Sequence, residues 1–193
     1  MKEIVLGTIS FLLYAVYDLE QGGVISHRFH KITKSFFTIG SVFLVAATIM
    51  LLWKIDVLQM EYGMKRIIFL LFAILFFGLL IYTLFFALPF EETYVMQEAH
   101  KTYDKKMYAL CRHPGVLWFA GFYFCLWLAF GTELLLVMAV WFSLLNFCYV
   151  VLQDYYTFPR VFFDYGDYKK RVPFLIPNGK SLKRCMDTFK ESR

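Results

Sequence analysis

The residues best suited to chemistry lie between Glu91 and Gly121, in the stretch EETYVMQEAHKTYDKKMYALCRHPGVLWFAG. Glu91, Glu92, Glu98, His100, Tyr108, Arg112 and His113 gather where one strongly apolar run ends and another begins at Pro114. Polar and ionisable groups at such a boundary are costly unless something uses them. Pro114 suits the first turn of a helix, which puts Arg112 and His113 in its N-terminal cap region. Free backbone N–H groups and the positive end of the helix dipole gather there and favour an anionic or carboxylate-bearing ligand. The plainer reading is a solvated loop anchored to headgroups by Arg and His.

A second polar pair, Gln153-Asp154, closes the last apolar run, with Arg160 a little beyond. Facing an anion-friendly helix start, these acceptors would complete a site for a zwitterionic ligand. Ordinary snorkelling at a helix end is the alternative. Glu91 and Glu92 are adjacent, so on a helix they point in different directions. His27 and His30 lack a third ligand of suitable spacing and read as part of an interfacial basic patch, so no metal site is expected. No phosphate-binding glycine loop or nucleophile elbow is present.

The elements that must position these groups cross a membrane. Of 193 residues 60% are hydrophobic, 21% aromatic and 18% charged, with mean hydropathy +0.56. Soluble folds run near 45–50% apolar, and this few charges cannot cover a water-facing surface. About 20 helical residues cross the hydrocarbon core. Runs of that kind span Phe36 to Trp53, Ile67 to Phe90, Gly115 to Phe130 and Leu134 to Leu152. Ile4 to Tyr17 reaches only about 21 Å and must recruit its flanks or tilt. The expectation is an all-α integral membrane protein of about five transmembrane helices. The last two form an antiparallel hairpin closed by Gly131-Thr132-Glu133.

Nine of the twenty Lys and Arg follow residue 152, which on the positive-inside rule puts 91–114 and 153–193 in the cytoplasm. The net charge of +5 thus signals membrane topology, not nucleic acid. The four cysteines show no zinc or disulfide spacing and read as reduced packing residues. The N-terminal apolar run leads into Tyr-Asp-Leu-Glu, so no cleaved signal is expected. From Pro159 a short interfacial helix is expected, with Val161, Phe162, Tyr165 and Tyr168 facing lipid and Lys169-Lys170-Arg171 turned away. A mobile basic tail would follow from Asn178.

His100, Tyr108 and Arg112-His113-Pro114, followed by Tyr165, Tyr168, Val172-Pro173 and Ile176-Pro177, resemble a known pattern. It is the H…GxYxxxRHPxYxG and FGxxYxxYxxxVPxxIP pair of isoprenylcysteine carboxyl methyltransferases and related phospholipid methyltransferases. The resemblance covers roughly 91–177. Lys106 stands at the first glycine, Val116 and Trp118 at the PxYxG tyrosine and glycine, Gln153-Asp154 at a glutamate pair and Val161-Phe162 at Phe-Gly.

The resemblance implies a single membrane domain with N-terminal helices over 1–90, a catalytic core over 91–177 and a polar tail over 178–193. It implies methyl transfer from S-adenosylmethionine to a lipophilic small-molecule or lipid acceptor that enters from the bilayer. His100, Tyr108, Arg112, His113, Pro114, Gln153 and Asp154 would bind the cofactor, and Arg112, Arg160 and Asp154 would serve the acceptor. A carboxylate acceptor is already ionised and needs no base, whereas an amine must first lose a proton. Two other classes compete: an NADPH-dependent sterol-type membrane reductase, with Lys169, Lys170 and Arg171 on the 2′-phosphate, and a non-catalytic member of the fold.

Overall fold

The computed structural model describes residues 1–24, 30–55, 63–86 and 101–191, the side chains of 30, 31 and 191 excepted. Among the described residues every regular element is helical. Helix α1 runs Lys2–Gln21, α2 His30–Trp53 and α3 Met64–Ile81, the last continuing through a π turn at Tyr82–Phe86. The one-turn α4 (Met107–Leu110) precedes α5 (Pro114–Phe130) and α6 (Glu133–Leu152). A second π turn, Gln153–Thr157, leads into α7 (Phe158–Val161), α8 (Tyr165–Arg171) and α9 (Gly179–Glu191).

Among the described residues three helical stretches are long and apolar enough to cross a membrane: Ile32–Trp53, Met64–Phe86 and Glu133–Val161. Pro114–Phe130 is apolar but shorter. Helix α1 has 20 residues, because it recruits both flanks of its apolar run, but it carries Glu3, Asp18 and Glu20 buried. Large apolar side chains face outward along the long helices, among them Val42, Val45 and Ile49 of α2, Leu71 and Ile74 of α3, and Val137 and Leu144 of α6. Apolar surface this extensive belongs against lipid rather than water.

Helix α1 packs against both α2 and α6, and α5 packs against both α6 and α3. Where they meet the core is aromatic: Phe11, Tyr14, Phe119, Tyr123 and Phe142 are buried together. The Phe11 and Phe119 rings meet edge-on at 6.0 Å, as aromatic quadrupoles prefer. Some of the polar groups inside are paired: the Tyr123 hydroxyl lies 2.6 Å from Thr48 Oγ1, and the buried Glu3 carboxylate pairs with Lys54.

Two glycines set the α5 geometry. Gly131 closes α5 at φ 67, a left-handed position that other residues adopt only at a cost. Thr132 then caps α6 by accepting from the Leu135 N–H at 3.4 Å. At Gly121 a β-carbon would sit 2.8 Å from the Phe76 ring, so only glycine lets α5 approach α3 this closely.

The C-terminal region departs from the sequence expectation in two ways. The expected helix from Pro159 is broken into α7 and α8, and the Tyr165 and Tyr168 side chains expected to face lipid are buried. The physical reason is that their hydroxyls have partners inside, at Asp154 and at the Tyr108 carbonyl. The expected mobile tail instead contains α9, whose Cys185 packs with Ala109 and Leu110 against Trp118 and Phe189.

Candidate functional site

A π turn leaves a carbonyl without its ordinary helical partner and often marks a functional position. Both π turns here use side chains to fill that gap. The Tyr108 hydroxyl donates to the Thr83 carbonyl at 3.2 Å, and Lys169 Nζ donates to the Asp154 carbonyl at 2.8 Å.

Asp154 is the hub. It is 1% exposed and meets four side chains drawn from two other segments of the chain. Tyr165 donates to Oδ1 at 2.6 Å, and His113 Nε2 lies 3.2 Å from the same oxygen. Lys169 Nζ is 2.8 Å from Oδ2. Arg112 Nη2 donates to Oδ2 at 3.4 Å, and its Nε lies 2.9 Å from Oδ1 without the alignment to donate.

The backbone locks this arrangement. Arg112 N–H donates to the Pro173 carbonyl at 2.9 Å and His113 N–H to the Phe174 carbonyl at 3.3 Å. The start of α5 and the segment after α8 therefore run side by side, with Arg112 also donating to the Lys169 carbonyl at 3.2 Å. Aromatic faces close the surroundings: His113 stacks on Phe158 at 5.8 Å, and the Arg112 guanidinium lies 5.5 Å from the Phe174 ring centre.

Electrostatics follow from burial and charge. His113 is 6% exposed, and burial holds its pKa below the ordinary histidine value against the opposing pull of Asp154. It is neutral at pH 7, and because an ionised carboxylate only accepts, its Nε2 carries the hydrogen. Burial, then the hydrogen bond to Asp154, pushes the Tyr165 phenol far up, so Tyr165 stays a donor. Burial likewise pushes the Cys111 thiol up to about 12, which leaves it no thiolate character. Arg112 and Lys169 against Asp154 leave a surplus of one positive charge. Together with the unaligned, buried Arg112 Nε, that surplus suits a ligand bearing a carboxylate.

Of the residues expected to form the site, Arg112, His113 and Asp154 converge, with Pro114 buried at the start of α5. Tyr108 is adjoining, since its carbonyl accepts from the Tyr168 hydroxyl at 2.8 Å. Gln153 does not join Asp154: its amide donates to the Tyr149 hydroxyl at 2.9 Å, on the α1 side. Arg160 is exposed, stacks 3.6 Å over Tyr156 and donates to the Tyr156 carbonyl. His100 and Glu91, Glu92 and Glu98 lie outside the described residues, as do His27 and Arg28.

Two members of the cluster were missed. The helical spacing turns Lys169 outward in a basic run and Tyr165 towards lipid, whereas both meet Asp154. Their i, i+4 spacing around one helix face, opposite a buried acid, was the available signal. Trp118, standing where the family pattern has glycine, stacks on Phe76 at 6.2 Å and donates to Thr83 Oγ1 at 3.1 Å. It thereby fills the space between α3, α4 and α9. No family model, curated protein or solved structure matches the chain.

Proposed function

We propose that this chain is an integral membrane methyltransferase that uses S-adenosylmethionine and a lipophilic acceptor, with α1, α2, α3, α5 and α6 crossing the bilayer. Helices of 20 and 17 residues in α1 and α5 reach about 30 and 26 Å, close to the hydrocarbon thickness. The site would face the cytoplasm, where the basic loop and C-terminal region belong.

The observation that carries the reading is the contact between Arg112-His113-Pro114 at the start of α5 and Asp154 at the end of α6. These are the motif residues of the methyltransferase resemblance, brought together from 40 residues apart. S-adenosylmethionine supplies an activated methyl on a sulfonium, so the protein's task is alignment and exclusion of water. Arg112 would take the cofactor carboxylate, for which its fork is shaped. His113 and Tyr165 hold Asp154 in place, and Lys169 balances its charge. Aromatic residues Phe158 and Phe174 keep water from the cluster.

A reductase reading has one observation in its favour: Arg171, Lys180 and Arg184 line a shallow depression with Ser181, suited to a phosphate. The purified protein, given methyl-tritiated S-adenosylmethionine and a lipid extract, is expected to transfer tritium into the organic phase. NADPH oxidation without tritium transfer supports the reductase instead, and neither activity supports a non-catalytic protein.

A further inference from the structure

The second π turn presents its other side to α1, and a separate polar group is buried there. Asp18 is 4% exposed, within hydrogen-bonding reach of the Gln153 amide and the Tyr149 hydroxyl. Its Oδ2 has no hydrogen-bond partner. The Thr157 hydroxyl holds the Asp18 carbonyl at 3.5 Å, which fixes the end of α1 against the turn. Buried carboxylates are paired, or they face a considerable desolvation penalty. Among the described residues the available partners are a neutral amide and a phenol, with no cation on the open oxygen.

One turn earlier on α1, aromatic faces surround the same region. The Tyr14 ring is 5.7 Å from Tyr149 and 5.4 Å from Phe37, and Tyr17 is 5.9 Å from Phe37. A carboxylate oxygen beside aromatic faces is the combination that attracts an ammonium group. The cations that could have received a carboxylate acceptor are placed elsewhere: Arg112 belongs to the Asp154 cluster, where it is assigned to the cofactor, and Arg160 faces outward over Tyr156.

We propose that Asp18, with Gln153 and Tyr149, forms a binding subsite for the amine of the methyl acceptor, an amphiphile whose tail lies in the bilayer. This rests on the methyl-transfer reading and extends it by fixing the acceptor's chemical class and its place. The ammonium docks on Asp18 Oδ2 and loses one proton to that carboxylate. The nitrogen lone pair then forms the N–C bond as the S–C bond breaks, and that bond's electron pair stays on sulfur as a neutral thioether. The product ammonium carries one methyl in place of the proton lost.

The test uses full-length protein in uncharged maltoside micelles, with dodecylamine, dodecanol and dodecanoate as probes and calorimetry as the readout. Dodecylamine is expected to bind about tenfold or more tightly than either other probe. Asp18→Asn is expected to weaken dodecylamine binding by about tenfold and leave S-adenosylmethionine binding unchanged. Equal binding of dodecanol and dodecylamine to the wild type overturns the proposal, even if Asp18→Asn does not fold. So does a folded Asp18→Asn that binds dodecylamine as the wild type does. Asp18-dependent amine binding without any binding of S-adenosylmethionine retires the methyl-transfer reading and leaves the cation subsite standing.

Discussion

Asp154 concentrates the electrostatics of this molecule on two oxygen atoms. Arg112, His113, Tyr165 and Lys169 each lose a partner if its carboxylate goes, and two of the four are cations. Breaking a buried pair by deleting one member costs about 3–5 kcal/mol, so Asp154→Ala is expected to lower stability by that order. Denaturant melts in detergent would check it. Arg160→Ala is the contrast, because an exposed cation–π contact is worth under about 1 kcal/mol. A comparable loss from both would mean that the hub is misassigned.

His113 adds a pH dependence at the same scale. Burial lowers its folded-state pKa below the ordinary value, and Asp154, Arg112 and Lys169 are the charged groups facing it. Below about 6.5 the unfolded chain binds a proton that the folded chain refuses, so stability rises with pH in that window. The contribution is complete above that value and is lost progressively as pH falls towards the folded-state pKa. Thermal midpoints taken across this range should slope less in His113→Gln than in the wild type. Parallel profiles would exclude His113 as the source.

The element scale is where sequence and structure part company. Helical runs, the α5–α6 hairpin and the start of α5 at Pro114 were legible, because hydrophobic period, Pro and Gly are strong local signals. The meeting of Arg112 with Asp154 was legible too, since a hairpin must bring its two ends together. The π turns were not, because nothing local in Gln153-Asp154-Tyr155 announces an extra residue in the turn. Gln153 and Asp154, adjacent in the chain, go to different partners: Gln153 to Tyr149, and Asp154 to His113 and Tyr165. Tyr165 and Tyr168 misled for a related reason: an amphipathic face reads the same whether it meets lipid or protein.

Helix α9 was read as tail because its composition is basic, although Cys185 and Phe189 give it an inward face. Cys185→Lys should undock it and speed tryptic cleavage at Lys180, Lys183 and Arg184, seen on gels of briefly digested protein. Unchanged cleavage would show that this contact does not hold the helix. Gly131→Ala, at a left-handed position, is expected to cost about 1–2 kcal/mol without moving the site.

At the scale of the whole molecule, two distant segments meet at Asp154 to build one cluster. The Thr102 N–H donates to Asp164 at 2.8 Å and Arg171 pairs with Asp104 at 3.0 Å, so the loop before α4 and the α8 region share a surface. Cysteines placed at exposed Lys101 and Asp187 should both react with an impermeant maleimide from the same side of the membrane. Labelling from opposite sides would contradict the fold. The most direct test of the methyltransferase reading is calorimetric titration of the purified, folded protein with S-adenosylmethionine. The expected result is binding tighter than about 1 mM, much reduced in Arg112→Ala and unchanged in Arg160→Ala. No binding in that range by wild-type protein would contradict the account.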